Sequence, residues 1–395
     1  MFSKRTDWKL EENAFTQALR RVRERGTRIL DLTVSNPTAC GFQYDEAAIL
    51  SALRSPEALH YEPEPKGQLH ARAAVTAYYR EKNASARVDP ERLILTTGTS
   101  EAYSFLFRLL CEPGDEVLIA HPSYPLFDFL GTIQDVKLRP FHLVYDHGWQ
   151  IDFRSLQDSI GQRTRAILLV HPNNPTGHFI GSEEAEQLNA ICGESSLVLI
   201  VDEVFLDYER RETAVNKRRH GSFLFNDRTL TFVLSGLSKI AALPQMKLGW
   251  IAAAGPEPLV RDAMARLEII ADTYLSMSAP MQYALPLLLE QRKKMQPQLM
   301  ARIEANLSEL DAQLAGQKPV SRLAIEGGWY AVLRVPAVRS DEELAIQLLE
   351  KQSVLVHPGH FYDFSGEGYL IVSLLARTEE FAEGVARLLA HVGAD

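Results

Sequence analysis

The sequence is poor in cysteine, lacks a long hydrophobic run and has no excess of basic residues. Its 395 residues include three cysteines, Cys40, Cys111 and Cys192, which stand far apart. This spacing argues against a disulfide framework or a zinc cluster and predicts a protein of the reducing cytoplasm. No stretch approaches the roughly 18 consecutive apolar residues of a membrane span, and the N-terminus has no signal-peptide pattern. The net charge of −9 makes a nucleic acid an unexpected partner.

Short apolar runs alternate with helical patterns in the middle of the chain. The runs lie at residues 93–96, 116–120, 166–170, 197–201 and 230–234. Because they are nearly continuous in Val, Ile and Leu, they are typical of strands that are covered on both faces. We predict an α/β protein with a mostly parallel mixed sheet that helices cover on both sides.

The two ends of the chain follow a different pattern. A long polar helix is predicted at about 286–315, and shorter strands and helices follow it up to the C-terminus. We therefore predict a small α+β domain formed by residues 1–45 and 286–395. It packs on a large domain of residues 46–285, which carries the cofactor site described next.

Lys239 follows the last of the five apolar runs, in the segment Ser-Gly-Leu-Ser-Lys at 235–239. A lysine just past a buried strand is well placed to hold a carbonyl cofactor as a Schiff base. Burial and nearby positive charge lower the pKa of a lysine and so supply the neutral amine that attacks a carbonyl. The sequence predicts pyridoxal phosphate as this cofactor, because candidates for the other groups that it requires are present.

Two further segments follow apolar runs at the same predicted edge of the sheet. Asp202 comes directly after the run at 197–201, where open α/β folds bind ligands, and its carboxylate is predicted to keep the pyridine nitrogen protonated. Gly98, Thr99 and Ser100 begin a helix, where free backbone N–H groups bind a phosphate. Taken singly, Asp202 also fits an ordinary aspartate that opens a turn after a strand. The residues at 98–100 likewise fit an ordinary helix N-cap.

Four other side chains complete the predicted cofactor site. Ser238 and Lys247 add a hydroxyl and a positive charge for the phosphate. Tyr124 follows the run at 116–120 and is predicted to stack on the cofactor ring, although a packed core aromatic has the same pattern. Asn174, in Asn-Asn-Pro-Thr-Gly, offers its amide to the phenolic oxygen of the ring, while the proline and glycine fix a turn.

In this order and spacing, the segments resemble those of the fold-type I, class I/II aminotransferases, which depend on pyridoxal phosphate. The resemblance runs from about residue 28 to the end and rests on residues 61–67, 97–100, 124, 173–177, 202–205 and 235–250. It implies a homodimer whose two active sites are shared across the interface. It also implies that Tyr61 reaches the phosphate of the neighbouring subunit and that Phe205 lies at the cofactor.

Three departures from the pattern of this family concern the cofactor. Phe205 replaces a tyrosine that hydrogen-bonds the ring oxygen, and Lys247 replaces an arginine that clasps the phosphate, which removes a bidentate contact. Gly236 replaces a phosphate-binding serine, so that Ser235 or Ser238 takes over this contact or it is absent. We therefore predict weaker cofactor binding than in relatives that have tyrosine and arginine at positions 205 and 247.

A fourth departure concerns the substrate. Ile371 stands where the family usually has the arginine that grips the α-carboxylate of the substrate. Arg377, which is nearby in the sequence, lies past the predicted strand and next to the start of a predicted helix, and it is predicted to be a solvated or helix-end residue. The sequence therefore leaves the substrate, and the group that holds its carboxylate, open.

The site and the resemblance predict a transaminase that moves an amino group between an amino acid, or a related amine, and a 2-oxo acid. Lys239, Asp202 and Tyr124 are the predicted catalytic residues. A pyridoxal-phosphate-dependent lyase, or another α-carbon enzyme of the same fold, is the alternative, which the isoleucine at 371 favours. A third hypothesis is a pyridoxal-binding regulator. It would need an added DNA-binding domain, for which about 27 preceding residues are too few.

Overall fold

The computed structural model of the chain describes residues 1–8, 10–83, 88–210, 219–275, 277–316 and 319–393. Its strands are β1 (Leu30–Asp31), β2 (Leu93–Thr96), β3 (Glu116–His121), β4 (Lys137–Tyr145), β5 (Trp149–Ile151), β6 (Thr164–Val170), β7 (Val198–Asp202), β8 (Thr231–Gly236), β9 (Gly249–Ala254), β10 (Ser321–Arg322), β11 (Tyr330–Arg334), β12 (Val354–Leu355), β13 (His357–Pro358) and β14 (Tyr369–Ser373). Its α-helices are α1 (Ala14–Glu24), α2 (Glu46–Ala52), α3 (Leu69–Lys82), α4 (Thr99–Leu110), α5 (Phe127–Ile133), α6 (Phe153–Ser159), α7 (Ser182–Ser195), α8 (Leu237–Ile240), α9 (Glu257–Thr273), α10 (Ala279–Glu290), α11 (Arg292–Leu314), α12 (Asp341–Gln352) and α13 (Thr378–Gly393).

One mixed sheet contains all the strands from β2 to β9, in the order β2-β9-β8-β7-β6-β3-β4-β5. The neighbours β8, β7, β6, β3 and β4 run parallel, whereas β9 runs antiparallel to both β2 and β8. The carboxyl ends of β2, β3, β6, β7 and β8 therefore meet at one edge of the sheet. The predicted mostly parallel mixed sheet is confirmed.

Helices cover both faces of this sheet. On one face, Ile119, Leu168 and Phe232 share a buried cluster with residues of α4, α5 and α9. On the other face, Leu118 and Ile167 share a buried cluster with residues of α3, α7 and α10. Because successive side chains of a strand point to opposite faces, a strand covered on both sides is apolar at every position. Burial on both faces therefore explains the near-continuous apolar runs in the sequence of these strands.

Smaller sheets lie outside the large one. The strands β10, β11, β14 and β13 form an antiparallel sheet in that order, and β1 pairs in parallel with β12. Their apolar side chains share a buried cluster with those of α1, α12 and α13. The pairing of β1 with β12 joins the two ends of the chain. The domain boundaries near residues 45 and 285 remain a prediction.

The predicted helix at 286–315 is wrong in its extent, because the structure has two helices there. The first, α10, ends at Glu290, and α11 begins at Arg292. Pro297 lies inside α11, where it lacks the N–H that would bind the carbonyl of Lys293. In the part of the chain that the structure describes, no helix combines the length and the apolar character that a membrane span requires.

The strands β4 and β9 were absent from the apolar runs of the sequence. In β4, the side chains of Lys137, Arg139 and His142 are charged or polar and are exposed or partly exposed. In β9, Gly249 and three alanines replace the β-branched residues that usually mark a strand. Pairing with the neighbouring strands, rather than their own amino-acid composition, makes these two segments strands of the sheet.

Candidate active site

Five of the predicted site residues lie at the edge of the large sheet where the carboxyl ends of its parallel strands meet. Gly98 follows β2, Tyr124 follows β3, Asn174 follows β6, Asp202 is the last residue of β7, and Lys239 follows β8. Ligands of open α/β folds bind at this edge. The strand order thus collects segments that are up to about 140 residues apart in the chain.

Lys239 lies on the short helix α8, three residues after β8 ends at Gly236. Burial lowers the pKa of its amine to about 8, although the charge of Asp202 acts in the opposite direction. The Tyr208 hydroxyl donates a 2.6 Å hydrogen bond to the backbone carbonyl of Lys239 and so fixes this turn. An amine with this pKa is partly neutral at neutral pH, and the neutral form attacks a carbonyl.

Phe205 and Trp329 flank the Lys239 amine. The Nζ atom lies 5.6 Å from the centre of the Phe205 ring and 4.8 Å from that of the Trp329 ring. The two rings meet edge to face, with centres 4.9 Å apart, and both are buried. Position 205 therefore presents an apolar ring to the lysine, where a tyrosine would add a hydroxyl.

Asp202 is 6% exposed and lies within a set of hydrogen-bond donors. The Tyr103 hydroxyl donates a 2.7 Å bond to its Oδ2 atom, and the Val204 N–H donates a 3.0 Å bond to Oδ1. Burial raises the pKa of Asp202 to about 6, while these bonds, the charge of Lys239 and a bond from Thr99 oppose the rise. A cation such as a protonated pyridine nitrogen would stabilise this buried carboxylate.

The start of α4 offers an anion site. Gly98 is the N-cap residue, and the first turn leaves the N–H groups of Thr99 and Ser100 without carbonyl partners in the helix. A Cβ atom on Gly98 would lie 3.9 Å from Lys247 Nζ, so an ammonium group stands beside this turn. A Cβ atom on Gly249 would lie 3.0 Å from the Gly98 Cα atom, so the loop packs closely on the start of β9. A helix N-terminus next to a lysine suits a phosphate.

The side chains of this turn do not all face the same way. Ser100 is exposed, and the Thr99 side chain hydrogen-bonds Asp202. The Thr97 N–H is already taken, because it donates a 2.7 Å bond to the Glu101 carboxylate. Backbone N–H groups, more than the hydroxyls that the sequence suggested, are the donors that remain for an anion.

Three buried polar atoms near this edge have no hydrogen-bond partner among the described residues: Asn174 Oδ1, Ser235 Oγ and Trp329 Nε1. Ser238, on the same turn as Lys239, is half-buried. Buried polar atoms without a partner are rare in native proteins, and a polar ligand would satisfy them. Together with the buried carboxylate of Asp202 and the anion site, these residues fit pyridoxal phosphate.

The two predicted tyrosines have different surroundings. Tyr124 is 38% exposed, and its ring meets Phe127 edge to face at 5.8 Å. Burial raises the pKa of Tyr124 to about 12, and the nearby Tyr330 and Asp202 add to the rise. Tyr61 is 70% exposed, and no hydrogen bond or ring contact joins it to these groups within the described ranges. Such exposure is what a contact with a second subunit requires.

A further group of side chains comes from the small antiparallel sheet. His357 pairs with Ile371, and Tyr330 lies on the same face of the sheet because its partner in β14 is two residues from Ile371. The Tyr362 hydroxyl lies 3.0 Å from His357 Nδ1, and its ring centre lies 6.3 Å from that of Tyr330. Burial raises the pKa of Tyr362, and Tyr330 and Tyr124 add to this effect. We refer to Tyr330, His357, Tyr362 and Ile371 as the aromatic wall.

Ile371, at the position where an arginine was expected, is fully buried in the aromatic wall. Arg377 is exposed and lies between β14 and α13, as predicted. A Cβ atom on Gly41 would lie 3.1 Å from its Nη2 atom, so the guanidinium packs on the backbone of the N-terminal segment. The residues of the aromatic wall therefore offer hydroxyl and imidazole groups where a guanidinium was expected.

Besides Tyr330 and Tyr362 of the aromatic wall, sequence reasoning missed three residues near Lys239 and Asp202. Tyr103 lies four residues after Thr99 in α4, hence on the same face of the helix, and this spacing was a usable signal for a contact with Asp202. Tyr208 and Trp329 gave no such signal. Their rings meet at 5.1 Å through the packing of β11 against the segment that follows β7.

The fold and the site together define a pyridoxal-phosphate enzyme, and comparison with known proteins identifies its family. A family model described as "Aminotransferase class I and II" matches residues 7–388. The chain therefore belongs to the class I and II aminotransferases, and it is a pyridoxal-phosphate-dependent transaminase.

Individual relatives and solved structures agree with this family. The chain is 25% identical to the glutamate-pyruvate aminotransferase AlaA of Haemophilus influenzae over 93% of this chain and 91% of that protein. It is 26% identical to the alanine aminotransferase of Mycobacterium tuberculosis over 93% and 86% of the two chains. The structure of an alanine aminotransferase from Pyrococcus furiosus has a TM-score of 0.87 at 23% identity and covers all of both chains. An aminotransferase from Escherichia coli has a TM-score of 0.85 at 22% identity, covering 100% and 98% of the two chains.

Proposed function

We propose that Lys239 binds pyridoxal phosphate covalently and carries the proton during transamination. The observation that carries this proposal is the position of Lys239 at the carboxyl edge of the large sheet, where its amine lies beside two buried aromatic rings. Burial there lowers the pKa of the amine to about 8, against the opposing charge of Asp202. Bound there, the cofactor would supply an aldehyde that takes up the substrate's amino group and a ring that accepts electrons from the reacting carbon. The chain's own residues would then orient the substrate and move the proton.

The roles of these residues follow from their chemistry. Once the substrate amine has displaced it, Lys239 is free to accept the proton of the substrate's α-carbon and to return it at the next step. Asp202 would hold the proton of the ring nitrogen. Tyr124 would cover one face of the ring, and Asn174 would donate to the phenolic oxygen. Phe205 would line the same side as Lys239.

The phosphate would lie at the start of α4. The N–H groups of Gly98, Thr99 and Ser100 and the ammonium group of Lys247 are the donors there. The family usually has a phosphate-binding serine at position 236, where this chain has glycine. A hydroxyl from Ser235 or Ser238 would make that contact instead. The unpartnered Ser235 Oγ atom favours Ser235 for this contact.

We propose a small amino acid and a 2-oxo acid as the substrates, with alanine, glutamate and pyruvate as the first to test. This choice rests on the names of the relatives that cover nearly all of the chain. These names favour transamination over the lyase alternative. A lyase would release ammonia, whereas a transaminase releases none and converts the cofactor to its amino form with one substrate alone.

Trapping of the cofactor tests the role of Lys239. The purified chain is incubated with pyridoxal phosphate, reduced with borohydride, digested and mapped by mass spectrometry. We expect a pyridoxyl adduct on the peptide that contains Lys239 and none on the exposed Lys351. Absence of the adduct at Lys239 contradicts the proposal. A panel of amino donors, read by the loss of cofactor absorbance and by ammonia release, then identifies the substrate and the reaction.

We propose a cytoplasmic homodimer in which Tyr61 completes the site of the neighbouring subunit. The exposure of Tyr61 supports this arrangement, and a hybrid experiment tests it. Inactive Lys239→Ala and impaired Tyr61→Ala chains are mixed, unfolded and refolded together. In a hybrid dimer both defects fall on one site and leave the other intact, so random pairing restores about a quarter of wild-type activity. No recovery, although light scattering detects dimers, contradicts the sharing of Tyr61.

A further inference from the structure

We propose that Trp329 is a positioning residue for the proton transfers, because it forms with Phe205 an aromatic corner that holds the Lys239 ammonium group. The proposal rests on the role of Lys239 proposed above. It assigns a function to a residue that no sequence motif marked. It also gives Phe205 a role of its own, in place of the hydroxyl that a tyrosine would offer.

The geometry of the corner is that of a cation on aromatic faces. Lys239 Nζ lies 4.8 Å from the centre of the Trp329 ring and 5.6 Å from that of the Phe205 ring. Cations are attracted to aromatic faces within about 6 Å, and indole is the strongest partner. The planes of the two rings meet at 85°, so they form two sides of a corner rather than one flat surface.

The backbone and the neighbouring rings hold Trp329 in place. Trp329 is fully buried, and its carbonyl accepts a 2.8 Å hydrogen bond from the Leu374 N–H. The Tyr208 ring packs against it at 5.1 Å, and the Tyr208 hydroxyl binds the Lys239 carbonyl. The same tyrosine therefore fixes the backbone of the lysine and the ring that faces its amine.

Close packing of the preceding turn adds to this rigidity. A Cβ atom on Gly327 would lie 2.8 Å from the side chain of Pro172 and 3.1 Å from the carbonyl of Tyr208. Only glycine fits this approach, which brings the turn before Trp329 against the segment that carries Asn174. The indole ring is thus held at the edge of the large sheet, although it comes from the small one.

Opposing forces act on the proton of the Lys239 amine. Burial favours the neutral amine, whereas the Asp202 carboxylate favours the ammonium form. The hydroxyl of Tyr208 bonds the backbone of Lys239 rather than its amine, and Lys247 stands beside Gly98 at the start of α4. The aromatic corner adds to the effect of Asp202. A lysine that first accepts a proton and then returns it works best when its pKa is close to the working pH.

Labelling of Lys239 at a series of pH values tests the corner without any turnover. The full chain, stripped of cofactor, is treated with trace acetic anhydride between pH 6 and 10 and mapped by mass spectrometry. The labelling of the exposed Lys351 in the same digest is the reference that corrects for the reactivity of the reagent at each pH. In Trp329→Leu we expect the labelling midpoint of Lys239 to fall by about half to one pH unit, the size expected for a desolvated cation–π contact. In Trp329→Phe, which keeps a ring face, the midpoint stays within about 0.3 of wild type.

The sign of the change separates this role from a structural one. Leucine keeps the site apolar but offers no ring, so the ammonium loses its support and the amine is neutral at lower pH. A merely loosened site would admit water and raise the midpoint. An unchanged or higher midpoint in Trp329→Leu, or equal falls with leucine and phenylalanine, overturns the proposal.

A second variant and a second readout allow the proposal to be tested even if Trp329→Leu does not fold. Phe205→Leu removes the more distant ring and is expected to lower the midpoint by a smaller amount; a midpoint that does not fall contradicts the corner even if Trp329→Leu does not fold. In the loaded enzyme, the acid limb of the kcat profile should move to lower pH in Trp329→Leu. The borohydride adduct of wild-type Lys239 is scored separately, so failure of the corner and failure of the proposed function are distinguishable.

Discussion

The site has two sides that differ in chemistry. The polar edge (Gly98, Asn174, Asp202, Lys239 and Lys247) comes from strand ends of the large sheet. It carries charges and one unpaired polar atom, Asn174 Oδ1. The aromatic wall comes from the small sheet and from the turn that follows β13. Its only ionisable groups are two phenols and one imidazole, His357, whose pKa burial lowers.

The comparison separates two functions within one pocket. Charges at the polar edge suit a cofactor that has a phosphate, a ring nitrogen and an aldehyde. The aromatic wall has no fixed positive charge, so a carboxylate that meets it would be bound by neutral donors, which bind more weakly than a guanidinium. We therefore expect changes at the polar edge to act on cofactor chemistry and changes at the aromatic wall to act on substrate affinity.

Lys239→Ala should have the largest effect on the polar edge. Removing the amine abolishes both covalent attachment and proton transfer, so kcat should fall by at least about 10³-fold. The measurement is the rate of the half-reaction with the preferred amino donor. Lys351→Ala, an exposed lysine of α12, is the control and should keep wild-type activity. A Lys239→Ala chain that transaminates at the wild-type rate would falsify this assignment.

Asp202→Asn should lower activity and yet stabilise the cofactor-free chain. An amide cannot hold the ring nitrogen protonated, and we expect kcat to fall by about 10²-fold or more. In the cofactor-free chain the amide removes a buried carboxylate that burial disfavours. A rise of the Asp202 pKa from 3.8 to about 6 corresponds to about 3 kcal/mol, which sets the upper limit of the gain in unfolding free energy near pH 8.

The pH dependence of unfolding checks the sign of this effect. The folded chain binds the Asp202 proton more tightly than the unfolded chain, so the stabilisation that protonation provides is present below pH 4. It is lost as the pH rises through about 6. Urea unfolding of cofactor-free wild type and Asp202→Asn should therefore diverge between pH 4 and pH 7. Glu203, buried with a pKa raised to about 7, is present in both chains, but the Asp202 charge is the smallest cause of that rise, so its contribution cancels only in part. If the unfolding free energies of the two chains differ by a constant amount over this pH range, the raised pKa of Asp202 is contradicted.

The polar edge was predictable from the sequence because each of its segments is short and follows an apolar run. Asp202 directly follows five apolar residues, and parallel strands bring such positions to one edge whatever their separation in the chain. Tyr103 was not predicted, although its distance of one helical turn from Thr99 was a usable signal. Its contact with Asp202 depends on how α4 packs on β7.

The aromatic wall was not predictable in the same way. Tyr330, Ile371 and His357 lie on three strands, and the pairing register alone decides which of their side chains share a face. A shift of one residue would turn Ile371 to the opposite face. Trp329 reaches Lys239 across the junction between the small and large sheets, and no local pattern encodes such a contact.

Ile371→Arg tests whether the donor's carboxylate meets the aromatic wall. A guanidinium there would make charge-assisted hydrogen bonds, so KM for the amino donor should fall by about tenfold or more. Because Ile371 is fully buried, the variant should also lose about 3 kcal/mol of unfolding free energy. Ile371→Met, which keeps volume and neutrality, is the control and should change neither quantity much. If KM is unchanged while stability falls, the carboxylate lies elsewhere and the division of functions between the two sides fails.

The smallest effects are expected where the polar edge departs from its family. Phe205→Tyr adds a hydroxyl beside Lys239, and Lys247→Arg replaces a single ammonium group with a bidentate donor beside Gly98. Each should strengthen cofactor binding by about 1 kcal/mol, or roughly fivefold in Kd, measured as the cofactor retained after dialysis. KM for the amino donor should stay the same, because neither change touches the aromatic wall. Lys351→Arg, at an exposed lysine, is the control for a lysine-to-arginine change and should leave both Kd and KM unchanged. Should KM shift together with Kd, the two sides of the pocket are coupled and cannot be tuned separately.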